Sequence, residues 1–148
     1  LWAGYRLGAF DFIKRDLTAQ EFASSLLEFF MGFYNIGGTI YVLSAKTPKG
    51  QRPVGVMLVG NARGPLTRTE AEPHVQWFAW ASARNKMECA LAFLLALKKQ
   101  IPFRIHVDPS DAPFFYHLGK YGVLRCVGQR RNYFAWGKTA VLFESVGA

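Results

Sequence analysis

The stretch from His74 to Lys99 restricts the fold of this chain more than any other. Val75, Trp77 and Ala79 alternate with Gln76, Phe78 and Trp80, the period-two pattern of a strand. The run Ala81-Ser82-Ala83-Arg84-Asn85 turns the chain at once. Met87, Ala90, Leu91, Leu94, Leu95 and Leu97 then recur at helical spacing, and Lys98 and Lys99 sit where cations suit a helix C-terminus. A strand feeding directly into a helix aims the first backbone N–H groups of that helix at one point. That geometry can hold a phosphate.

The flanking sequence predicts elements on both sides of this unit. An opening strand is expected around Ala9–Lys14, then a capping box over Thr18-Ala19-Gln20-Glu21. Phe22, Leu26, Phe29, Phe30 and Phe33 form the apolar stripe of the next helix, read as core, and Asn35 and Gly37-Gly38 stop it. Thr39–Ala45 and Pro53–Val59 read as an antiparallel hairpin turning at Thr47-Pro48-Lys49-Gly50. Gly60–Pro73 reads as a polar connection. After the central helix, Phe103–Val107 is a short strand and Asp108–Asp111 a turn, with Asp108 or Ser110 capping a short helix over Ala112–Leu118 that Gly119 closes. Val123–Val127, Asn132–Trp136 and Thr139–Glu144 read as a terminal antiparallel ribbon. The expectation is a single α/β (α+β) domain over residues 1–148, with a mixed, mostly antiparallel sheet and helices on both faces.

A chain of 148 residues with 51% apolar and 16% aromatic side chains has a core to bury. No apolar run reaches the length of a membrane span, and the start at Leu1 shows no basic region, apolar run and cleavage site in series. The expectation is therefore a cytoplasmic protein, with residues preceding Leu1 because no methionine opens the sequence. Cys89 and Cys126 offer neither a disulfide framework nor zinc spacing and read as small hydrophobes. The net charge is +8, and the stretch from Lys120 to Phe143 carries Lys120, Arg125, Arg130, Arg131 and Lys138 with no acidic residue. Such a field attracts a polyanion or remains a solvated face.

This element order resembles the acyl-CoA N-acyltransferase fold of the GNAT superfamily over nearly the whole chain, and two segments carry the likeness. In the family, the central strand enters an Arg/Gln-x-x-Gly-x-Gly/Ala turn whose backbone donors hold the pyrophosphate of coenzyme A. Arg84-Asn85-Lys86-Met87-Glu88-Cys89 stands there in this chain, with Arg84 matching, Met87 in place of the first glycine and Cys89 as the small final residue. The family's later strand leads to an Asn, a short helix bearing Phe-Tyr, and a Gly. Here Asp108 stands in the place of the Asn, and Phe114-Phe115-Tyr116 and Gly119 follow. The resemblance implies acetyl-CoA as cosubstrate, bound along Trp80, Ala81, Ser82, Arg84, Asn85, Lys86, Met87, Glu88, Cys89 and Asp108. It also implies Tyr116 as the acid that protonates the departing thiolate. Counted back from Gly119, Phe114-Phe115 is an alternative match that lacks the phenol.

Against this stands a second pattern in the same residues. Asn85-Lys86-Met87-Glu88 reads as a capping box of its own, which would place the Glu88 carboxylate where the phosphate belongs. Like charges that close cost on the order of 1 kcal/mol. Acetyl transfer to an amine also needs a proton acceptor, and His74 and Glu72 stand nearest on the central strand. His106 reads as packed, and no Ser-His-Asp set, Cys-His set or metal cluster is present in the sequence. Two functions follow. One is a GNAT-like N-acetyltransferase acting on an amine acceptor. The other is a relative that kept the fold and lost the reaction, with a structural or protein-binding role; a loose likeness to small phage-encoded acetyltransferase-like proteins adds a virion to its locations. A nucleic-acid partner for Arg125, Arg130, Arg131 and Lys138 with Tyr133, Phe134 and Trp136 is the least favoured reading.

Overall fold

Thr18 and Glu21 form the expected capping box: the Glu21 carboxylate accepts the Thr18 N–H at 2.8 Å, and the Thr18 hydroxyl accepts the Glu21 N–H at 3.2 Å. The computed structural model describes residues 16–35, 37–63, 69–134 and 137–147, together with Arg6. The strand expected over Ala9–Lys14 lies outside the described residues. Helix α1 runs over Ala19–Asn35. It ends where Gly37 takes φ +89°, and Gly37 and Gly38 donate to the carbonyls of Tyr34 and Phe33. Of its five-residue stripe only Phe22 and Leu26 are buried. Phe30 and Phe33 are half-buried and Phe29 is exposed, so the expectation of five core positions holds for two.

The described chain divides into two compact units, Leu1–Gly60 with His74–Lys86 and Asn61–Pro73 with Met87–Ala148. In the first, β1 (Thr39–Thr47) and β2 (Gly50–Arg63) form an antiparallel hairpin that closes at Thr47 and Gly50. The pairing slips by one residue between Leu43 and Ser44, opposite Pro53, whose missing N–H removes a ladder bond. Every residue from Val54 to Val59 is buried, which explains why this run is continuously apolar instead of alternating. β2 accordingly lies at the centre of the three-stranded sheet β1-β2-β3, and β3 (Thr69–Trp77), the strand that carries His74, lies beside it. Gly55 interrupts the apolar run because β3 comes too near for a side chain. A Cβ there would stand 2.8 Å from the Gln76 carbonyl oxygen and from the Trp77 ring.

β3 differs from its sequence reading at both ends. It begins at Thr69 and stops at Trp77, so Phe78–Trp80 leave the strand, and the described residues of the expected connection, 60–63 and 69–73, are strand. Ala71 and Pro73 are buried and Glu72 is not, so an alternation hidden among polar letters carries the extension.

The second unit is built on β4 (Arg104–Val107), α3 (Ala112–Gly119), β5 (Leu124–Arg130) and β6 (Ala140–Ser145). Its sheet has the order β4-β6-β5, antiparallel throughout, and the central β6 buries Ala140, Val141 and Phe143. Phe103, Leu118, Val123 and Leu124 complete the core with Leu94 of α2 (Ala83–Gln100). Burying side chains of this size stabilises by about 1.5–3 kcal/mol each. Ala71 and Phe103 form a single parallel bridge, in which the Ala71 N–H donates to the Pro102 carbonyl at 2.9 Å.

The strand expected over Asn132–Trp136 is not present in its described part. Asn132 takes φ +52°, and the N–H groups of Tyr133 and Phe134 both donate to the Lys138 carbonyl, which closes a loop after β5. Among the described residues, no helix is long and apolar enough to cross a membrane. The architecture is α+β, and the described residues form two mostly antiparallel sheets and three helices.

Candidate functional site

Where β3 ends, Phe78 stays on the sheet through its N–H to the Val54 carbonyl at 2.9 Å, and the Ala81 N–H closes a turn onto the Phe78 carbonyl at 3.0 Å. Trp80 sits on that turn. Its indole N–H donates to the Pro53 carbonyl at 2.8 Å, and the Arg52 guanidinium lies 4.8 Å from its ring centre. The chain therefore leaves the turn in a fixed direction and enters α2 at Ala83.

Ser82 is the cap of α2. Its hydroxyl accepts the Asn85 N–H at 3.0 Å, and its carbonyl accepts the Lys86 N–H at 2.9 Å as the first bond of the helix. This corrects the capping box read over Asn85–Glu88. Glu88 lies in the second turn, exposed, and does not cap the helix. The Arg84–Cys89 segment is also helical throughout, not a turn before the helix. From Lys86 onward its amides serve the helix ladder, so the amides ahead of the ladder are those of the first turn.

That first turn has no acidic side chain, while Arg84 and Lys86 bring positive charge to the positive end of the helix dipole. Arg84 is exposed, and Ala81, Asn85, Lys86 and Met87 are half-buried. Cys89 is half-buried as well, and burial followed by the nearby Glu88 charge raises its thiol pKa. His74 is exposed on β3 with its Nε2 3.2 Å from Gln76 Nε2. The protein packed around it withdraws enough water to lower its pKa from the ordinary 6.5.

Asp108 and Tyr116 belong to the second unit. Asp108 does not cap α3, whose cap position falls on Asp111, with Pro113 in the first turn. Instead its Oδ1 accepts the Ser110 N–H at 2.9 Å and the Ser110 hydroxyl at 2.8 Å, and Lys138 Nζ lies 3.9 Å from Oδ2. These contacts hold its carboxyl below the usual carboxylate range, the Ser110 N–H contributing most.

Along α3, Ala112, Phe115 and Leu118 turn into the core. Phe115 packs on Phe143 with ring centres 5.7 Å apart. Tyr116 faces outward, 52% exposed. Its ring stands edge-to-face with Phe143, ring centres 5.2 Å apart and 73° between planes, and its hydroxyl donates to Cys126 Sγ at 3.5 Å. That bond, before any other cause, raises the phenol pKa.

Cys126 is the residue that the sequence reading missed. It is exposed and does not pack as the small hydrophobe expected of it, although it pairs in register with Phe143; β5 bulges only after it, at Val127, and Gly128 takes φ +146°. His106 is packed as expected, stacked on Tyr133 with ring centres 3.9 Å apart and 6° between planes. Within the basic stretch, Arg125 pairs with Glu144 at 2.9 Å and Arg130 lies over the Tyr133 ring. Among the described residues, no three His, Cys, Asp or Glu side chains gather as metal ligands would.

The fold places these residues in a known class of architecture. A Bordetella pertussis protein assigned to the GnaT acetyltransferase family superposes with a TM-score of 0.59, covering 89% of this chain and 79% of its own at 19% identity. A ribosomal-protein-alanine N-acetyltransferase from Brucella melitensis gives 0.56 over 84% and 78% at 13% identity. A GNAT family acetyltransferase from Elizabethkingia anophelis, solved with acetyl-CoA bound, gives 0.54 over 81% and 82% at 16% identity. No protein-family model matches the sequence, and no curated protein matches it, so the likeness is one of structure. The chain has the GNAT fold, as its element order implied.

Proposed function

We propose that this protein is an acetyl-CoA-dependent N-acetyltransferase that moves an acetyl group to an amine. The observation that carries the reading is the start of α2. A Ser82-capped helix follows a strand through one locked turn, and its first turn holds Arg84 and Lys86 with no acid. Cations at that end work against the helix dipole, and a bound diphosphate would relieve them. The GNAT fold and the acetyl-CoA bound to the Elizabethkingia anophelis neighbour support the choice of anion.

In this reading acetyl-CoA supplies an activated acyl group, and the chain supplies placement. Trp80, Ala81 and Ser82 would line the cosubstrate, and the α2 residues Arg84, Asn85, Lys86, Met87, Glu88 and Cys89 would surround its diphosphate. Asp108, held by Ser110 and Lys138, would fix the start of α3. As the amine nitrogen bonds the acetyl carbon, the carbon–sulfur bond breaks. The departing sulfur needs a proton, the role proposed for Tyr116 of the second unit, and the amine sheds one, the role proposed for His74 of the first, whose surroundings favour the neutral ring.

A second reading, cofactor binding without catalysis or no binding at all in a protein that serves as a partner in an assembly, is favoured by one observation. Met87 stands inside the helix where the family has a glycine that admits the pyrophosphate.

A thermal shift with acetyl-CoA separates the readings. At about a hundred times its dissociation constant a ligand adds about 2.7 kcal/mol of stability. The expected result is a clear rise in Tm, lost in the double variant Arg84→Glu/Lys86→Glu, together with free thiol released from acetyl-CoA in the presence of a panel of primary amines. A rise without thiol release supports the silent relative, and no rise at millimolar cosubstrate overturns the acetyltransferase.

A further inference from the structure

Cys126 and Phe143 stand directly opposite each other in the β5–β6 ladder, so their side chains share one face of that sheet. Tyr116 of α3 reaches both, its ring edge against Phe143 and its hydroxyl against the sulfur. The strand is shaped for this contact. The pairing slips between Cys126 and Gly128, and Gly128 adopts a left-handed backbone that side chains resist. The slip brings the Gly128 carbonyl to 4.0 Å from Cys126 Sγ, where the thiol hydrogen can donate weakly. A chain of donors thus runs from phenol to thiol to carbonyl. An exposed cysteine on an edge strand needs none of this for packing.

We propose that Cys126 is a positioning residue for Tyr116: before reaction the sulfur accepts the phenol hydrogen bond and fixes where the oxygen of the general acid stands, and the O–H turns from this weak acceptor to the departing thiolate as negative charge builds there. The inference rests on the acetyltransferase reading for its consequence, but its geometry concerns the second unit alone. Tyr116 is half open to water, and without a partner its hydroxyl would sample every direction the ring allows. Phe143 fixes the ring plane, and Cys126 fixes the oxygen. The same bond keeps the proton on the phenol, the form that an acid must start from.

The test is made on the intact protein carrying tyrosine labelled with carbon-13 at Cζ. The Tyr116 resonance is identified by its loss in Tyr116→Phe. Cys126→Ala is expected to move and broaden that resonance, and Cys126→Ser, which keeps an acceptor, to return it most of the way. In turnover, Cys126→Ala lowers kcat about tenfold with KM for acetyl-CoA within about twofold, and Cys126→Ser recovers most of the loss. A resonance that stays put in Cys126→Ala overturns the inference whatever the activity, and a moved resonance with unchanged kcat overturns it too. Failure of the parent reading shows elsewhere, as an absent acetyl-CoA thermal shift in the unmodified protein.

Discussion

At the scale of single residues, the proposed reaction depends on which side chains keep or lose a proton. Tyr116 and Phe115 are neighbours in sequence with opposite fates: Phe115 is buried against Phe143, and Tyr116 shows its hydroxyl to solvent. Removing that oxygen alone tests the acid. Tyr116→Phe should lower kcat by about a hundredfold, the low end of what a positioned acid contributes, while the acetyl-CoA thermal shift stays in place. Equal turnover in the two proteins would remove Tyr116 from the mechanism.

His106 makes a different prediction. Burial first, then the charges of Arg130 on β5 and Arg104 on β4, hold its pKa below the ordinary 6.5, while Tyr133 covers its ring and Glu72 is the acidic group near that tyrosine. Between the folded and unfolded values the unfolded chain binds the proton more readily. This share of stability is whole above 6.5 and drains as the pH falls toward the folded value. His74 is shifted the same way. Urea denaturation should therefore show the wild type weaker near about pH 5.5 than near about pH 7.5, and His106→Phe should narrow that gap without closing it. A gap of unchanged width would exclude His106 as a contributor.

At the scale of elements, local patterns were legible and long-range contacts were not. The Thr18–Glu21 capping box was readable because all its atoms lie within four residues. The start of α2 was not, because two capping patterns overlap there. Ser82 wins over Asn85 through a turn pinned by Trp80 to the Pro53 carbonyl, a partner 27 residues away in sequence. The ends of β3 were misread for a similar reason: Thr69–Pro73 looks like a polar loop until Ala71 pairs with Phe103. Cys126 reads as a small hydrophobe from its place in a strand alone, and nothing in the letters around it shows that it stands exposed beside Tyr116, ten residues earlier.

Two substitutions probe these elements. Ser82→Ala should cost about 1 kcal/mol in urea denaturation by removing the cap, and it should weaken acetyl-CoA binding if the first turn of α2 holds the diphosphate. Gly55→Ala should cost more, about 1–3 kcal/mol, because the added methyl meets the Gln76 carbonyl as well as a movable ring. A neutral Gly55→Ala would mean that β2 and β3 can separate without loss.

At the scale of the whole molecule, the GNAT fold was legible from element order even though its phosphate motif is altered, because layer architecture depends on apolar patterning and the motif on a few backbone positions. What the whole chain adds to the site is charge. The net +8 exceeds what the start of α2 carries. Ion pairs such as Arg125 with Glu144, and Arg104 at 3.7 Å from Glu70, leave that net charge unchanged. It gives the protein a positive field, and in the proposed reading acetyl-CoA is a polyanion that such a field would draw in. Salt screens this over about 10 Å at 0.1 M, whereas contacts at the helix start are shorter than that and keep most of their strength. KM for acetyl-CoA should therefore rise about threefold between about 50 and about 300 mM NaCl while kcat stays level. A nucleic-acid binder would instead lose orders of magnitude in affinity over that range, with a slope set by the number of phosphates neutralised. A KM that ignores salt would assign cosubstrate capture to the first turn of α2 alone and leave the positive field without a part in it.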